Sequence, residues 1–166
     1  THHDVIAFLT FISEKIGEKQ ARYLHQGMTS SDILDTCLCI QLKKASQLIR
    51  EDLDALLIEL LKKAEEYKYL PTIGRSHGIH ADPTTVGLKF AQAFAEFDIA
   101  LKRMEIAEKE ISICALSGSV GTFANIDPRI EKYVAKKLKI NIETISTQII
   151  QRDRYAYFFS TLGVLA

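Results

Sequence analysis

The sequence predicts an all-α protein organised as a long antiparallel helical bundle. Two long segments, 29–67 and 84–116, carry apolar residues at helical spacing, and a third such segment runs from 147 to the last residue, 166. Short stretches rich in Gly, Pro and Ser separate these segments. Because helices joined by short connections pack antiparallel to each other, the order of segments predicts an up-down-up bundle.

The first long segment begins with Thr29, whose hydroxyl can accept a hydrogen bond from the free N–H groups of a helix start. Asp32 suits the positive end of the same helix. At 1.5 Å per residue the helix is expected to be about 55 Å long. Adjacent leucines within 53–61 form an apolar stripe wider than one partner helix covers, which favours self-association.

The segments before and after the first long helix have boundaries marked by glycine and proline. Apolar residues at helical spacing fill 5–16, and Gly17 is predicted to end that helix. Residues 71–83 are predicted to be irregular, with Asp82 as a cap and Pro83 at the first position of the second long helix.

The remaining third of the chain alternates irregular and helical segments. Residues 117–126 are predicted to be irregular, and Asp127 with Pro128 gives a cap-plus-proline start for a short helix ending near 138. An extended link over 142–146 leads to the last helix, which is expected to begin near Thr147. No pair of strands is predicted.

The two ends interrupt helical patterns. The chain enters the first helix almost at once and stops at 163–166 without a cap. We therefore expect residues 1–166 to form a single helical-bundle region that is a fragment of a longer chain.

Composition limits the class of protein. Lys plus Arg number 21 and Asp plus Glu number 21, a balance that gives no support for a nucleic-acid partner. No apolar run reaches the ~18 residues of a membrane span, and no signal peptide is visible. The chain has three cysteines, Cys37, Cys39 and Cys114, and their spacing is not that of metal ligands. Because an odd number also argues against a disulfide framework, we expect free thiols in a cytoplasmic protein.

The histidine with the strongest signal for chemistry is His77, which lies between Ser76 and Gly78. Histidine is the natural acid–base residue near neutral pH, and neighbouring glycine lets the backbone approach a ligand closely. The alternative is a hydrogen-bonded loop histidine without a catalytic role. His80 could form a metal pair with His77, but no third ligand is evident nearby, so no metal is expected.

Three polar segments each have two interpretations. Residues 29–32 (TSSD) are either a helix cap or an anion site, since free N–H groups at a helix start bind carboxylate or phosphate. Residues 117–121 (SGSVG) are either a turn or a phosphate cradle that lacks the lysine of a P-loop. Gln148, near the polar residues 151–153, is either a binding residue or part of a solvated helix end.

Residues 74–85 (GRSHGIHADPTT) resemble the histidine motif of the fumarase/aspartase superfamily, and 78–85 are similar to the adenylosuccinate lyase family in particular. Four further blocks resemble that family in the same order. They are 3–5 (HDV), 29–32 (TSSD), 117–122 (SGSVGT) and 147–154 (TQIIQRDR). The family usually has threonine where Ser76 stands, and serine keeps the hydroxyl. Five blocks in order over the whole chain make the resemblance specific.

The resemblance implies an enzyme of purine biosynthesis, one that eliminates fumarate from adenylosuccinate, giving AMP, and from the succinyl-carboxamide purine intermediate. It implies that His77 is the general acid that protonates the leaving nitrogen. It implies no cofactor, a purine nucleotide substrate and a homotetramer, with the catalytic serine base in a flexible loop beyond Ala166. The implied substrate-binding residues are His2, His3, Asp4, Thr29, Ser30, Ser76 and Gln148.

This chemistry agrees with the residue types present. Cleaving a C–N bond beside a carboxylate requires a base for the carbon-bound proton, an acid for the nitrogen, and donors for the developing charge. Thr29 begins the first long helix and His77 follows its far end, so about 55 Å of helix separates them. Because an antiparallel oligomer places one chain's helix start beside another's helix end, we expect active sites shared between subunits.

Two alternatives stay open at this stage. One is a sister lyase of the superfamily, such as argininosuccinate lyase, fumarase or aspartase, although residues 78–85 favour adenylosuccinate. The other is an inactive helical oligomerisation fragment. The intact block around His77 argues against a degenerate homologue, whereas the expected absence of the serine loop favours an inactive fragment.

Overall fold

The computed structural model describes residues 2–166 and confirms the all-α class. The six helices of the described residues are α1 (Asp4–Ile16), α2 (Glu18–Ala21), α3 (Ser30–Glu66), α4 (Val86–Ile111), α5 (Pro128–Leu138) and α6 (Arg152–Leu165). Four short strands accompany them, namely β1 (Pro71–Ser76), β2 (Ile79–Thr85), β3 (Ile113–Cys114) and β4 (Asn141–Ile142). None of the helices in residues 2–166 is long and apolar enough to cross a bilayer.

The chain divides into two compact units. The first comprises Thr1–Lys43, described from His2 onwards, and Ile111–Arg154. The second comprises Lys44–Glu110 and Tyr155–Ala166. Helix α3 begins in the first unit and ends in the second. The expectation of a single helical-bundle region over 1–166 stays a prediction.

Helix α1 of the first unit has the boundaries that the sequence predicts. His3 caps its start, where the imidazole Nδ1 accepts the N–H of Ile6. Gly17 ends it with a φ of 83°, a left-handed backbone angle that glycine adopts without strain.

The core of the first unit forms around two short parallel strands. Strand β3 pairs with β4, so that Cys114 lies opposite Ile142. Cys114 packs with Ala135 of α5 and with Ile140, and all three are buried. Burial raises the pKa of the Cys114 thiol to about 12, which keeps it protonated and makes it a small apolar side chain here.

Helix α5 also matches its sequence signals. The Asp127 side chain accepts the N–H of Arg129, and Pro128 occupies the first turn. Lys139 ends the helix in the left-handed region with a φ of 53°. The predicted cap-plus-proline start at 127–128 is confirmed.

In the second unit, the C-terminal part of α3 runs antiparallel to α4. Arg50 donates to Glu108 at 2.8 Å and to Glu105 at 3.0 Å near the end of α4. At the other end, a Cβ on Gly87 would lie 2.5 Å from the carbonyl oxygen of Ala64, so only glycine permits this approach of the two backbones. The buried apolar side chains of this unit include Leu53, Leu57, Ala100, Met104, Ala107 and Phe158.

The structure corrects the prediction that 71–83 is irregular and that the chain has no strand pair. Strands β1 and β2 form an antiparallel hairpin in which Ser76 pairs with Ile79. The two loop residues, His77 and Gly78, have φ angles of 52° and 76°. Positive φ at both positions is the pattern of a type I′ turn, whose twist matches that of paired strands. The backbone angles of this dipeptide therefore make a hairpin, although Pro71 and Pro83 are poor strand formers.

Two predicted helix starts are also wrong by a few residues. Asp82 and Pro83 belong to β2, and α4 begins at Val86 after Thr85, whose hydroxyl accepts the N–H of Leu88. Helix α4 ends at Ile111 because the chain then enters strand β3. Helix α6 begins at Arg152 rather than near Thr147, since the N–H of Ile150 donates to a side chain of α3.

Candidate active site

The predicted site residues fall into two groups, one in each compact unit. His2, His3, Asp4, Thr29, Ser30 and Gln148 belong to the first unit. Ser76 and His77 belong to the second. Each group is built by its own local structure.

In the first unit the structure brings His3 next to the start of α3. The Nε2 atom of His3 lies 3.4 Å from the hydroxyl of Ser30. Because Nδ1 accepts the N–H of Ile6, the neutral ring carries its proton on Nε2 and donates it to Ser30. The carboxylate of Asp4 lies 3.4 Å from Nδ1. The exposed His2 and Asp4 flank this pair, so two of the predicted blocks meet here.

Thr29 is held at the start of α3 by a buried carboxylate. Its N–H donates to Asp32 Oδ2 at 3.0 Å. Asp32 also accepts the N–H of Ser117 on Oδ1 at 3.2 Å and the N–H of Gly118 on Oδ2 at 3.1 Å. The side chain is 2% exposed, so the three N–H groups rather than water satisfy its oxygens. Asp32 therefore joins the start of α3 to the 117–121 segment.

The 117–121 segment also contacts Ser146, immediately before the block that contains Gln148 (147–154). The hydroxyls of Ser117 and Ser146 lie 2.8 Å apart. A Cβ on Gly121 would lie 2.2 Å from the carbonyl oxygen of Ser146, so glycine alone allows these two backbones to pass. The φ of 79° at Gly121 adds a second reason for glycine.

Asp35, one turn further along α3, fixes the other side of that block. It accepts the N–H of Ile150 and forms an ion pair with Arg152 at 2.9 Å. Gln148 stays exposed just before these anchored residues. Its amide is therefore accessible to a ligand while the backbone on both sides of it is fixed.

In the second unit, His77 lies at the exposed tip of the β1–β2 hairpin. Its backbone has a φ of 52°, an angle that a residue with a Cβ adopts at a cost of about 1–3 kcal/mol. The preceding Ser76 ends β1 and is also exposed. The imidazole of His77 and the hydroxyl of Ser76 are therefore both open to a ligand.

His25 was not among the site residues predicted from the sequence. Its Nδ1 is buried and has no hydrogen-bond partner among residues 2–166, and its backbone φ is 57°. Two residues later a Cβ on Gly27 would lie 1.9 Å from the carbonyl oxygen of Asn125. In the sequence, only the position of His25 and Gly27 just before Thr29 could have indicated a functional histidine. The unpaired nitrogen is seen only in the structure.

The electrostatics of the first unit favour a polar ligand at the start of α3. The hydroxyl groups of Thr29 and Ser30 lie at the start of a long helix, whose partial positive charge attracts an anionic group. Among residues 2–166, no three His, Cys, Asp or Glu side chains lie close enough together to hold a metal ion.

Comparison with known proteins places these elements in one family. A family model described as lyase matches residues 1–166. The adenylosuccinate lyase of Staphylococcus saprophyticus is 44% identical over 166 residues, which are 100% of this chain and 38% of that protein. The chain therefore spans well under half the length of this relative.

Solved structures show the same fold. The 3-carboxy-cis,cis-muconate lactonizing enzyme from Pseudomonas putida matches with a TM-score of 0.87 and 29% identity, over 97% of this chain and 37% of that one. The fumarate lyase from Mesorhizobium sp. BNC1 matches with a TM-score of 0.83 and 26% identity, over 99% of this chain and 43% of that one. With the family match over all 166 residues, these likenesses establish that the chain belongs to the lyase family.

Proposed function

We propose that the complete protein containing this chain is an adenylosuccinate lyase that eliminates fumarate from adenylosuccinate and from the succinyl-carboxamide purine intermediate. The observation that carries the proposal is the 44% identity to an adenylosuccinate lyase over every residue of the chain. The site geometry supports it, because the resembling blocks of the first unit are held against each other by hydrogen bonds.

The reaction breaks the bond between the succinyl carbon and the purine nitrogen. A base removes a proton from the adjacent carbon, its electron pair forms the new C=C bond of fumarate, and the nitrogen leaves with the C–N bond electrons. That nitrogen then needs a proton. In our proposal His77 supplies it as a general acid, since an exposed imidazole at a hairpin turn can reach a bound ligand. The base is proposed to be a serine in the part of the longer protein that this chain does not span.

The first unit supplies the groups that hold the substrate. Ser30, with His3 donating to it, presents a hydroxyl at the positive end of α3. The exposed amide of Gln148 and the hydroxyl of Thr29 complete a set of donors that suits phosphate or carboxylate groups. Ser76 takes part through its position beside His77. His2 and Asp4 take part through their positions beside His3.

We further propose a homotetramer whose active sites take residues from different subunits. Helix α3 is unbroken from Ser30 to Glu66, a length of about 55 Å at the rise of an α-helix. Exposed apolar side chains remain on it and on α4, among them Leu48, Ile58, Leu61, Leu88, Ile99 and Ile106. Such stripes on long helices are the surfaces through which helical rods associate.

The proposed reaction is one of cellular nucleotide metabolism, so we also propose a cytoplasmic location. The buried, reduced thiols of Cys39 and Cys114 suit a reducing compartment.

An assay panel on the full-length protein tests the function. Purified enzyme is mixed separately with adenylosuccinate, argininosuccinate, malate, aspartate and 3-carboxy-cis,cis-muconate, and fumarate or lactone formation is followed. We expect adenylosuccinate to have the highest kcat/KM, with no added metal or cofactor. The muconate is included because a muconate lactonizing enzyme has the same fold with a TM-score of 0.87. Light scattering on the same sample should give the mass of a tetramer. A higher kcat/KM for any other compound would overturn the assignment.

A further inference from the structure

We propose that Asp32 is a positioning residue that sets the geometry of the substrate-binding wall formed by Thr29, Ser30 and the 117–121 segment. The inference rests on the proposed function, because that function makes Thr29 and Ser30 substrate-binding residues. Asp32 itself is buried and does not touch the ligand. Its effect is exerted through the backbone groups that it holds.

The hydrogen bonds define this role. Oδ2 accepts the N–H groups of Thr29 at 3.0 Å and Gly118 at 3.1 Å, and Oδ1 accepts that of Ser117 at 3.2 Å. One side chain therefore fixes the residue before the first turn of α3 and two consecutive residues from a segment 85 positions further along. Each of these N–H groups would otherwise be a buried or partly buried donor in need of a partner.

A close approach of Gly118 to Gly27 accompanies these hydrogen bonds. Gly118 has a φ of 83°, and a Cβ there would lie 3.5 Å from the carbonyl oxygen of Gly27. The segment therefore runs close to the residues that lead into Thr29. A carboxylate suits this place because both of its oxygens only accept, so all three N–H groups can point at it.

An amide in the same place cannot satisfy all three donors. If the oxygen of an asparagine faced Thr29 and Gly118, its NH₂ group would face the N–H of Ser117, and the reverse orientation would leave two N–H groups unpaired. Substitution Asp32→Asn keeps the shape of the side chain and removes at least one hydrogen bond. We expect the 117–121 segment and Thr29 to shift relative to each other.

The test uses full-length enzyme carrying Asp32→Asn, with Thr36→Val as the matched control. Thr36 is buried on the next turn of α3, and its hydroxyl bonds to the backbone of Ala115 but not to the 117–121 segment. We expect Asp32→Asn to lower kcat/KM by about a hundredfold, the scale of a misplacement of about 1 Å. Most of the loss should be a rise in KM, with the pH profile of kcat unchanged.

The split between KM and kcat separates positioning from instability. A variant that merely folds less well contains less active enzyme, so its apparent kcat falls while its KM stays the same. Thr36→Val is expected to behave in that way. Hydrogen exchange should also speed up in peptides covering 29–31 and 117–121 of Asp32→Asn, with α5 as the internal reference.

If Asp32→Asn proves too unstable to purify, Gly118→Ala gives the second measurement. It adds a Cβ at a positive φ and displaces one of the three N–H groups while the carboxylate stays in place. A smaller rise in KM is expected. An unchanged KM in a folded Asp32→Asn or Gly118→Ala enzyme would overturn the proposed role of Asp32 and leave the proposed function standing. A wild-type enzyme without activity on adenylosuccinate would overturn the proposed function and this inference together.

Discussion

Asp35 Oδ2 accepts the backbone N–H of Ile150 at 2.9 Å, although the two residues lie 115 positions apart in the sequence. Asp35 is 7% exposed, and Arg152 forms an ion pair with the same oxygen. This contact anchors the segment after Gln148 to α3 and sets the point at which α6 begins. It therefore links the stability of the first unit to the geometry of the candidate site.

Replacement of this carboxylate should destabilise the protein. We expect Asp35→Ala to lower the free energy of unfolding by about 1–3 kcal/mol, because the buried N–H of Ile150 loses its acceptor. The exposed Asp52→Ala on the same helix should change it by less than about 0.5 kcal/mol. Urea unfolding at one fixed protein concentration measures both. Equal effects of the two substitutions would show that the Asp35 contact contributes no stability.

Substitution of the hairpin histidine should affect chemistry rather than folding. In the full-length enzyme His77→Ala is expected to lower kcat by about two to four orders of magnitude, the scale of a lost general acid. The melting temperature should change little, since the side chain is exposed at a turn. His80→Ala, three residues away on the exposed strand β2, is the control and should keep near-normal turnover. Comparable kcat values for wild type and a folded His77→Ala enzyme contradict the assignment.

Shared active sites can be tested by mixing inactive variants. Thr29→Ala and His77→Ala enzymes are each expected to have low activity. After dissociation and reassembly in equal amounts, about a quarter of the sites should combine an intact Thr29 from one subunit with an intact His77 from another. Activity should rise to that fraction of the wild-type value. Mixed tetramers verified by mass spectrometry that gain no activity would exclude sharing between these two residues.

The buried carboxyl of Glu131 should give the protein a specific pH dependence. Burial raises its pKa above the ordinary 4.5, the nearby Asp32 raises it further, and the hydrogen bond from the N–H of Leu116 opposes the shift. A raised pKa means that the folded state binds the proton more tightly than the unfolded state, so the ionised form destabilises the fold above that pKa. Glu131→Gln keeps an acceptor for Leu116 and cannot ionise.

We therefore expect the stability of Glu131→Gln relative to wild type to increase as pH rises from below 4.5 through the raised pKa, and then to level off. Thermal melts across this range measure the difference. Lys136 is exposed on the same helix and offers Lys136→Gln as a control without this trend. A difference that stays constant with pH, or falls as pH rises, would show that burial does not disfavour the charged form of Glu131.

Local signals were sufficient for most of the helices. The periodicity of apolar residues predicted α3 within a residue or two of its observed bounds, because a long helix depends mainly on the repeat of its own side chains. Asp127 with Pro128 likewise predicted the start of α5, since a cap satisfies N–H groups of its own first turn. Such features involve residues within a few positions of each other.

The β1–β2 hairpin was not predicted because it depends on backbone angles at its turn. The sequence placed 71–83 in an irregular segment with Pro83 at a helix start, whereas the decisive feature is positive φ at both His77 and Gly78. A residue other than glycine is uncommon in the left-handed region, so the presence of His77 did not by itself predict a turn. The pairing of the two strands, not the propensity of their residues, stabilises this conformation.

The sequence by itself determined the helical class of this protein, the bounds of its longest helix, and the order of the blocks that resemble one family. Only the tertiary structure decided how those blocks meet. Asp32 and Asp35 each bond to N–H groups from segments remote in sequence, and the unpaired Nδ1 of His25 reflects its surroundings rather than its neighbours along the chain. The physical reason is that a buried polar group takes its partner from whatever backbone the fold brings within about 3 Å, and no periodicity encodes that distance.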